Sequence, residues 1–234
     1  MKTQKQHHFP FESLPPDEQK KFYEVYEQMK QVQRDEPNRL REHLEAFNDA
    51  ILAIVATIIV LEIKPPIGEV NYAGFLSNLL IFLISFAIIA DFWYNLHLLF
   101  SFFVIKPDSL IVILDLCLLA DLALMPTMTK WIMSEASGFA VMNYGIIYLI
   151  ACIIRTLMQY LGFKNMGKES KLLQSVTVRH SMAQFIGIVI LNAVLIAFAF
   201  YYPKVVMILY LATPIISGIM MNFQQHKHNL DENN

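Results

Sequence analysis

Six long runs of apolar sequence constrain this chain more than any other feature. They fall at 44–63, 73–103, 109–132, 139–163, 177–202 and 205–223. Each is near or above the ~20 residues an α-helix needs to cross ~30 Å of hydrocarbon. Polar or helix-breaking sequence separates them: Lys64-Pro65-Pro66, Lys106-Pro107-Asp108, residues 130–138, residues 164–171 and Pro203-Lys204. The runs are continuous and do not alternate, which excludes the strands of a membrane barrel. The expected fold class is all-α, a polytopic membrane protein with six transmembrane helices.

Charge is distributed to match. Only 16% of residues are charged against 56% hydrophobic, and sixteen of the thirty-eight charged side chains lie in the first 42 residues. Those sixteen are eight acidic and eight basic. A water-soluble enzyme does not tolerate the remaining composition. Cys117 and Cys152 both sit inside apolar runs and read as small hydrophobes rather than a disulfide. No polybasic tail points to nucleic acid. The first 42 residues hold no short apolar stretch behind a basic start, so the first apolar run is expected to act as the insertion signal. With a cytoplasmic N-terminus, fourteen Lys and Arg lie inside and three outside (Lys64, Lys130 and Lys204), which places both termini in the cytoplasm. The domain expectation is a cytoplasmic arm at 1–43 carrying a weakly amphipathic helix beside the membrane, a six-helix channel domain at 44–223, and a polar cytoplasmic tail at 224–234. Pro15-Pro16-Asp17 introduces the arm helix, whose apolar positions are Phe22, Tyr23, Val25, Tyr26, Met29 and Val32.

Ionisable groups within apolar spans cost roughly 2 to 3 kcal/mol each on insertion scales, so each demands a partner or water. Glu45 and Glu62 lie at the two ends of the first span, where side chains reach the headgroups. Asp49, one turn inside and beside Asn48, needs a donor from a neighbouring helix, and Trp93, His97 or a protonated carboxyl such as Asp115 are the available types. Arg155 and His180 read as helix-end anchors, and Trp131, Tyr144, Tyr148, Tyr201 and Tyr202 as interfacial belts. Ile54, Ile58 and Leu61 recur at i, i+4 and i+7 with Thr57 beside them, a stripe that periodicity alone reads as packing. Thr57 by itself reads as a hydroxyl bonded back to its own helix. Zinc-protease, serine-hydrolase, phosphate-loop and CxxC patterns are absent, and Asp115 and Asp121, six apart on one span, lack the small-residue context of an intramembrane aspartyl protease. No enzyme, resident cofactor or metal centre is expected.

At the first span the residues carry a resemblance. His43-Leu-Glu-Ala-Phe47-Asn48-Asp49, followed by AILAIVATIIVLEIKPP, is similar to the opening of helix 1 in bacterial relatives of the endolysosomal potassium channel, whose signature is Arg-x-x-x-Phe-Ser-Asp. Ser85-Phe86, Phe92-Trp93 and His97 resemble that family's second helix, and Leu114-Asp115 followed by Pro126-Thr127-Met128-Thr129 its third. The match spans residues 39 to about 132, and the six-helix count extends it in architecture.

The resemblance implies a homotetramer in the bilayer of the bacterial inner membrane, with helix 1 of each subunit lining a central pore for monovalent cations. It implies rings of bulky apolar side chains in place of a carbonyl selectivity filter. Those rings map here onto Ile54, Ile58 and Leu61, with a threonine layer at Thr57 and permeant potassium in the pore. Four positions depart from the pattern: His43 for Arg, Asn48 for Ser, Leu96 for the first of paired histidines, and Asp115 for Asn. The family's supporting hydrogen-bond network therefore maps onto a rewired set: His43, Phe47, Asn48, Asp49, Trp93, His97 and Asp115. A histidine titrates near neutrality, so His43 also implies a pH dependence that an Arg-bearing relative lacks. Two other classes fit the composition: a proton-coupled transporter using Asp49, Asp91, Asp115 and Asp121 as relays, and a non-conducting scaffold.

Overall fold

The computed structural model describes residues 15–65, 72–135, 137–166, 186–210 and 213–214, and among these every regular element is helical. The first helix, α1 (Pro16–Leu61), is 46 residues long. Pro16 occupies its first turn, where a missing N–H costs nothing, and Asp17 and Glu18 complement the positive end of the helix dipole. The polar arm and the first apolar span are one uninterrupted helix, which passes through Pro37. Good helix formers on both sides of Pro37 outweigh the single hydrogen bond a proline removes. The arm helix therefore continues directly into the first apolar span.

The second helix, α2 (Tyr72–Leu98), ends in one π turn over Leu99–Phe103 before Lys106-Pro107 stops it. Asp108 then caps α3 (Ser109–Leu122), its Oδ1 accepting from the Ile111 N–H at 2.9 Å. The single third span breaks at Ala123-Leu124. There Pro126, lacking an N–H, cannot extend the ladder, and the chain restarts as α4 (Met125–Ser134). Next come α5 (Gly138–Met166), α6 (Ile186–Ala199) and a helix, α7, at 203–210. Within the expected fifth and sixth spans, residues 177–185, 211–212 and 215–223 lie outside the described residues, as do His180 and the 224–234 tail.

Among the described residues, four stretches are long and apolar enough to cross a membrane: Pro16–Leu61, Tyr72–Phe103, Ser109–Ser134 and Gly138–Lys164. The chain is a multi-pass helical membrane protein. α1 packs against α2, α3 and α4, while α5 covers α3 and α4. Ile59, Ile84, Phe92, Leu118, Leu122 and Tyr144 meet in the interior. Large apolar side chains such as Leu83, Ile113 and Ile153 face outward, as expected for helices solvated by lipid.

Candidate functional site: the two faces of α1

The apolar half of α1 has two distinct sides. Leu44, Asn48, Leu52, Val55 and Ile59 turn into the bundle and are buried. They follow i, i+4, i+8, i+11 and i+15, one face of a 3.6-residue helix. A second side, about a third of a turn around the helix, carries Phe47, Ile54, Ile58 and Leu61, which are 46, 54, 40 and 79% exposed, while Leu52, Val55 and Ile59 are at most 3% exposed. All three residues of the predicted constriction stripe therefore point away from their own subunit. Thr57 shares that side, and its hydroxyl donates to the Ile54 carbonyl at 2.8 Å, bonding back to its own helix.

Two polar contacts tie the bundle side of α1 to its neighbours. Asn48 Nδ2 donates to Asp115 Oδ1 on α3 at 3.1 Å, with Asn48 3% and Asp115 0% exposed. One residue on, Asp49 accepts from the Trp93 indole N–H of α2 at 2.7 Å. His97, one turn further along α2, stacks on Trp93 with ring centroids 6.2 Å apart and planes 15° apart. Glu45, Asn48, Asp49, Trp93 and His97 together line one small cavity. Asp49 also opens on a groove of about 250 Å³ between α1 and α2, walled by Ala53, Ala56, Ile89 and Ala90. Of the expected network, Asn48, Asp49, Trp93, His97 and Asp115 come together. His43 and Phe47 do not: both are exposed on the outer side of α1, and His43 sits about a third of a turn away from Asp49 around the helix.

At the opposite end of the span, Glu62 pairs with Lys130 of α4 at 3.0 Å rather than standing alone among headgroups. Farther from α1, three readings of the sequence need correction. Arg155 is 4% exposed and is no helix-end anchor: its guanidinium lies 3.5 Å from the Asp91 carboxylate and 5.3 Å from the centroid of the Phe92 ring. Tyr144 and Tyr148 are buried, not interfacial. The Tyr144 hydroxyl donates to Ser85, which Thr129 also meets at 2.9 Å, and that of Tyr148 donates to Thr213 at 2.9 Å. In each case a nearby polar partner lets the bundle accept a group that hydropathy alone assigns to its edge. Ser85 and Thr129 were visible in the sequence as members of matched motifs. Their meeting with Tyr144 was not, because it joins three helices. No cluster of His, Cys, Asp and Glu suited to a metal occurs among the described residues.

Comparison with known proteins converges on this region. The sequence profile of the family described as endosomal/lysosomal potassium channel TMEM175 matches residues 43–126, the stretch that holds both polar ties and the outward stripe. A potassium channel from Chryseobacterium sp. (strain P1-3) is 34% identical over 178 residues, covering 74% of this chain and 90% of that protein. One from Chamaesiphon minutus is 44% identical over 66 residues, covering 25% of this chain and 32% of the relative. The fold resembles the crystal structure of a lysosomal potassium-selective channel TMEM175 homolog from Chamaesiphon minutus, with a TM-score of 0.54, 24% identity, and coverage of 75% of this chain and 98% of that one. This chain belongs to the TMEM175 family of potassium channels.

Proposed function

We propose that four copies of this chain assemble in the bacterial inner membrane around a central pore lined by α1, through which potassium and other monovalent cations pass passively. Six spans with both termini in the cytoplasm complete each subunit. The observation that carries this reading is the exposure of Ile54, Ile58 and Leu61 on a side of α1 that the described residues of its own subunit leave uncovered. Four copies meeting on an axis would turn that stripe into stacked apolar rings. An ion crosses such rings only after shedding much of its water, and a narrowed ring empties of water and closes. Isoleucine suits the constriction because its branched Cβ restricts χ1, which keeps the ring diameter fixed. Thr57 places a hydroxyl between the rings, and no TVGYG-like carbonyl filter is present in the sequence.

Of the four carboxylates in the proton-relay reading, Asp49, Asp91 and Asp115 are engaged with Trp93, Arg155 and Asn48 respectively, while Asp121 keeps a buried oxygen without a hydrogen-bond partner; three engaged carboxylates favour conduction over proton-coupled transport. The test is potassium flux from liposomes holding the purified chain, with the proton gradient collapsed by an ionophore. Flux persists, and Ile54→Ala changes its rate or its potassium-to-sodium ratio. Flux that stops with the proton gradient, or an Ile54→Ala protein that conducts like wild type, overturns the reading.

A further inference from the structure

The outward side of α1 does not end at the membrane. Val25 and Leu61 are thirty-six residues apart, about ten turns of a 3.6-residue helix, and the pairs Val25 and Ile54, Met29 and Ile58, and Val32 and Leu61 are each twenty-nine apart, close to eight turns. α1 is one helix from Pro16 to Leu61 with Pro37 inside it, and at 3.6 residues per turn these residues fall on one side. Val25, Met29 and Val32 are 53, 66 and 56% exposed. With Phe22 they step by three, four and three residues, the a and d spacing of a coiled coil.

We propose that the arms of four subunits wrap around one another as a parallel coiled coil, seamed by Val25, Met29 and Val32, that continues the axis of the pore beyond the membrane. The inference rests on the tetrameric reading above, and the occupant it assigns to this side of the arm is a second copy of the same segment. Three observations favour that occupant over a lipid surface. α1 stays helical through Pro37, so the arm continues from the span for roughly 40 Å at 1.5 Å per residue, whereas a helix lying in the interface would need a break between arm and span, and none occurs between Pro16 and Leu61. The apolar side of the arm coincides with the side that faces the proposed axis. The first 42 residues carry eight acidic and eight basic side chains, leaving no positive excess to hold anionic headgroups. Beyond Val32 the next seam positions are Glu36 and Arg39, so the dry seam stops short of the pore and ions enter laterally between the arms at these charged positions.

The experiment uses the full-length chain in liposomes, in a Cys117→Ala, Cys152→Ala background, with single cysteines at Val25, Met29, Glu27, Arg34 and Leu61. Copper-phenanthroline oxidation is followed by the appearance of disulfide-linked dimers on denaturing gels. The proposal expects Val25→Cys, Met29→Cys and Leu61→Cys to form dimers, and Glu27→Cys and Arg34→Cys, on the far side of the arm, to stay monomeric. If Leu61→Cys links while Met29→Cys links no faster than Glu27→Cys, the coiled coil is wrong and the tetramer stands. If Leu61→Cys does not link, the tetrameric reading fails and the coiled coil with it. A bimane probe on Met29→Cys that is quenched by headgroup-nitroxide lipids also overturns the proposal, because the arm would then lie on the bilayer.

Discussion

The contact between Asn48 and Asp115 makes a prediction that separates hydrogen-bond geometry from charge. Asn48 Nδ2 donates to Asp115 Oδ1, yet Asn48 Oδ1 and Asp115 Oδ2 are both buried without a hydrogen-bond partner. The pair thus holds one bond and two stranded acceptors. Replacing Asp115 by Asn keeps the Oδ1 acceptor and puts an N–H donor where Oδ2 stood, while Asn48 Oδ1 is the acceptor lacking a donor. Asp115→Asn is therefore expected to leave stability unchanged or to raise it. Asn48→Ala removes the donor and leaves Asp115 with none. Stranding a buried polar group costs about 1 to 3 kcal/mol. Hydrogen bonds between membrane helices average about 0.6 and reach about 1.7 kcal/mol, because partners are also found in the unfolded state. With both side chains almost fully buried, the expected loss is at the upper end of that membrane range.

Thermal unfolding of the purified chain, followed by the fluorescence of Trp93 and Trp131, is the assay. For a chain of this size each kcal/mol moves the midpoint by about 2 to 4 °C. Asn48→Ala and Asp115→Ala should each lower it by several degrees, and the double variant by clearly less than their sum. An Asp115→Asn midpoint that falls as far as that of Asn48→Ala would refute the reasoning, since negative charge and not bond geometry would then hold the two helices together.

Three further outcomes follow from the same packing. Trp93→Phe deletes the indole donor to Asp49 but keeps the ring stacked on His97, so the fold survives and potassium flux in liposomes changes, while an unchanged flux would detach the contact from conduction. Arg155→Met removes the buried guanidinium beside the part-buried Asp91 carboxylate, which should cost up to about 3 kcal/mol in a thermal melt, and Asp91→Asn combined with Arg155→Met should recover much of that loss. In Gly162→Ala the new methyl would sit 2.9 Å from the Phe103 carbonyl oxygen of the π turn, a backbone atom that cannot swing aside, so overpacking of about 1 to 3 kcal/mol should appear as a lower midpoint.

Much of this architecture was legible because apolar length is a strong signal. The first four spans fall close to where the helices lie, and the one internal break coincides with Pro126. The continuity of α1 was not legible, since a change from polar to apolar sequence looks like a boundary while the backbone needs only helix-permissive residues on either side of it. Pairings across helices were legible only as needs. Asp49 plainly required a donor, but three candidates were open until Trp93 was found 2.7 Å away. Arg155 and Tyr144 were misplaced for the converse reason. A polar group at hydrophobic depth is assigned to the edge when its partner lies on another helix, and here Asp91 and Ser85 supply that partner inside.

In the proposed pore, the arrangement of α1 lets a helix present an apolar surface to the ion path and still be held in place. Among the described residues, the polar attachments of its apolar half to other helices are Asn48 and Asp49 near one end of the span and Glu62 at the other. Between them the bundle side is held by Leu52, Val55 and Ile59 through apolar packing, and the other side is left to Ile54, Ile58 and Leu61. Polar ties at both ends resist sliding of the helix along its axis, since each hydrogen bond or ion pair loses its geometry within about an ångström. The interior of a well-packed bundle resists the addition or loss of even one methylene. The stripe is therefore positioned by contacts on the bundle side of its own helix, and substitutions at Asn48, Asp49 or Glu62 should alter conduction without touching the path itself.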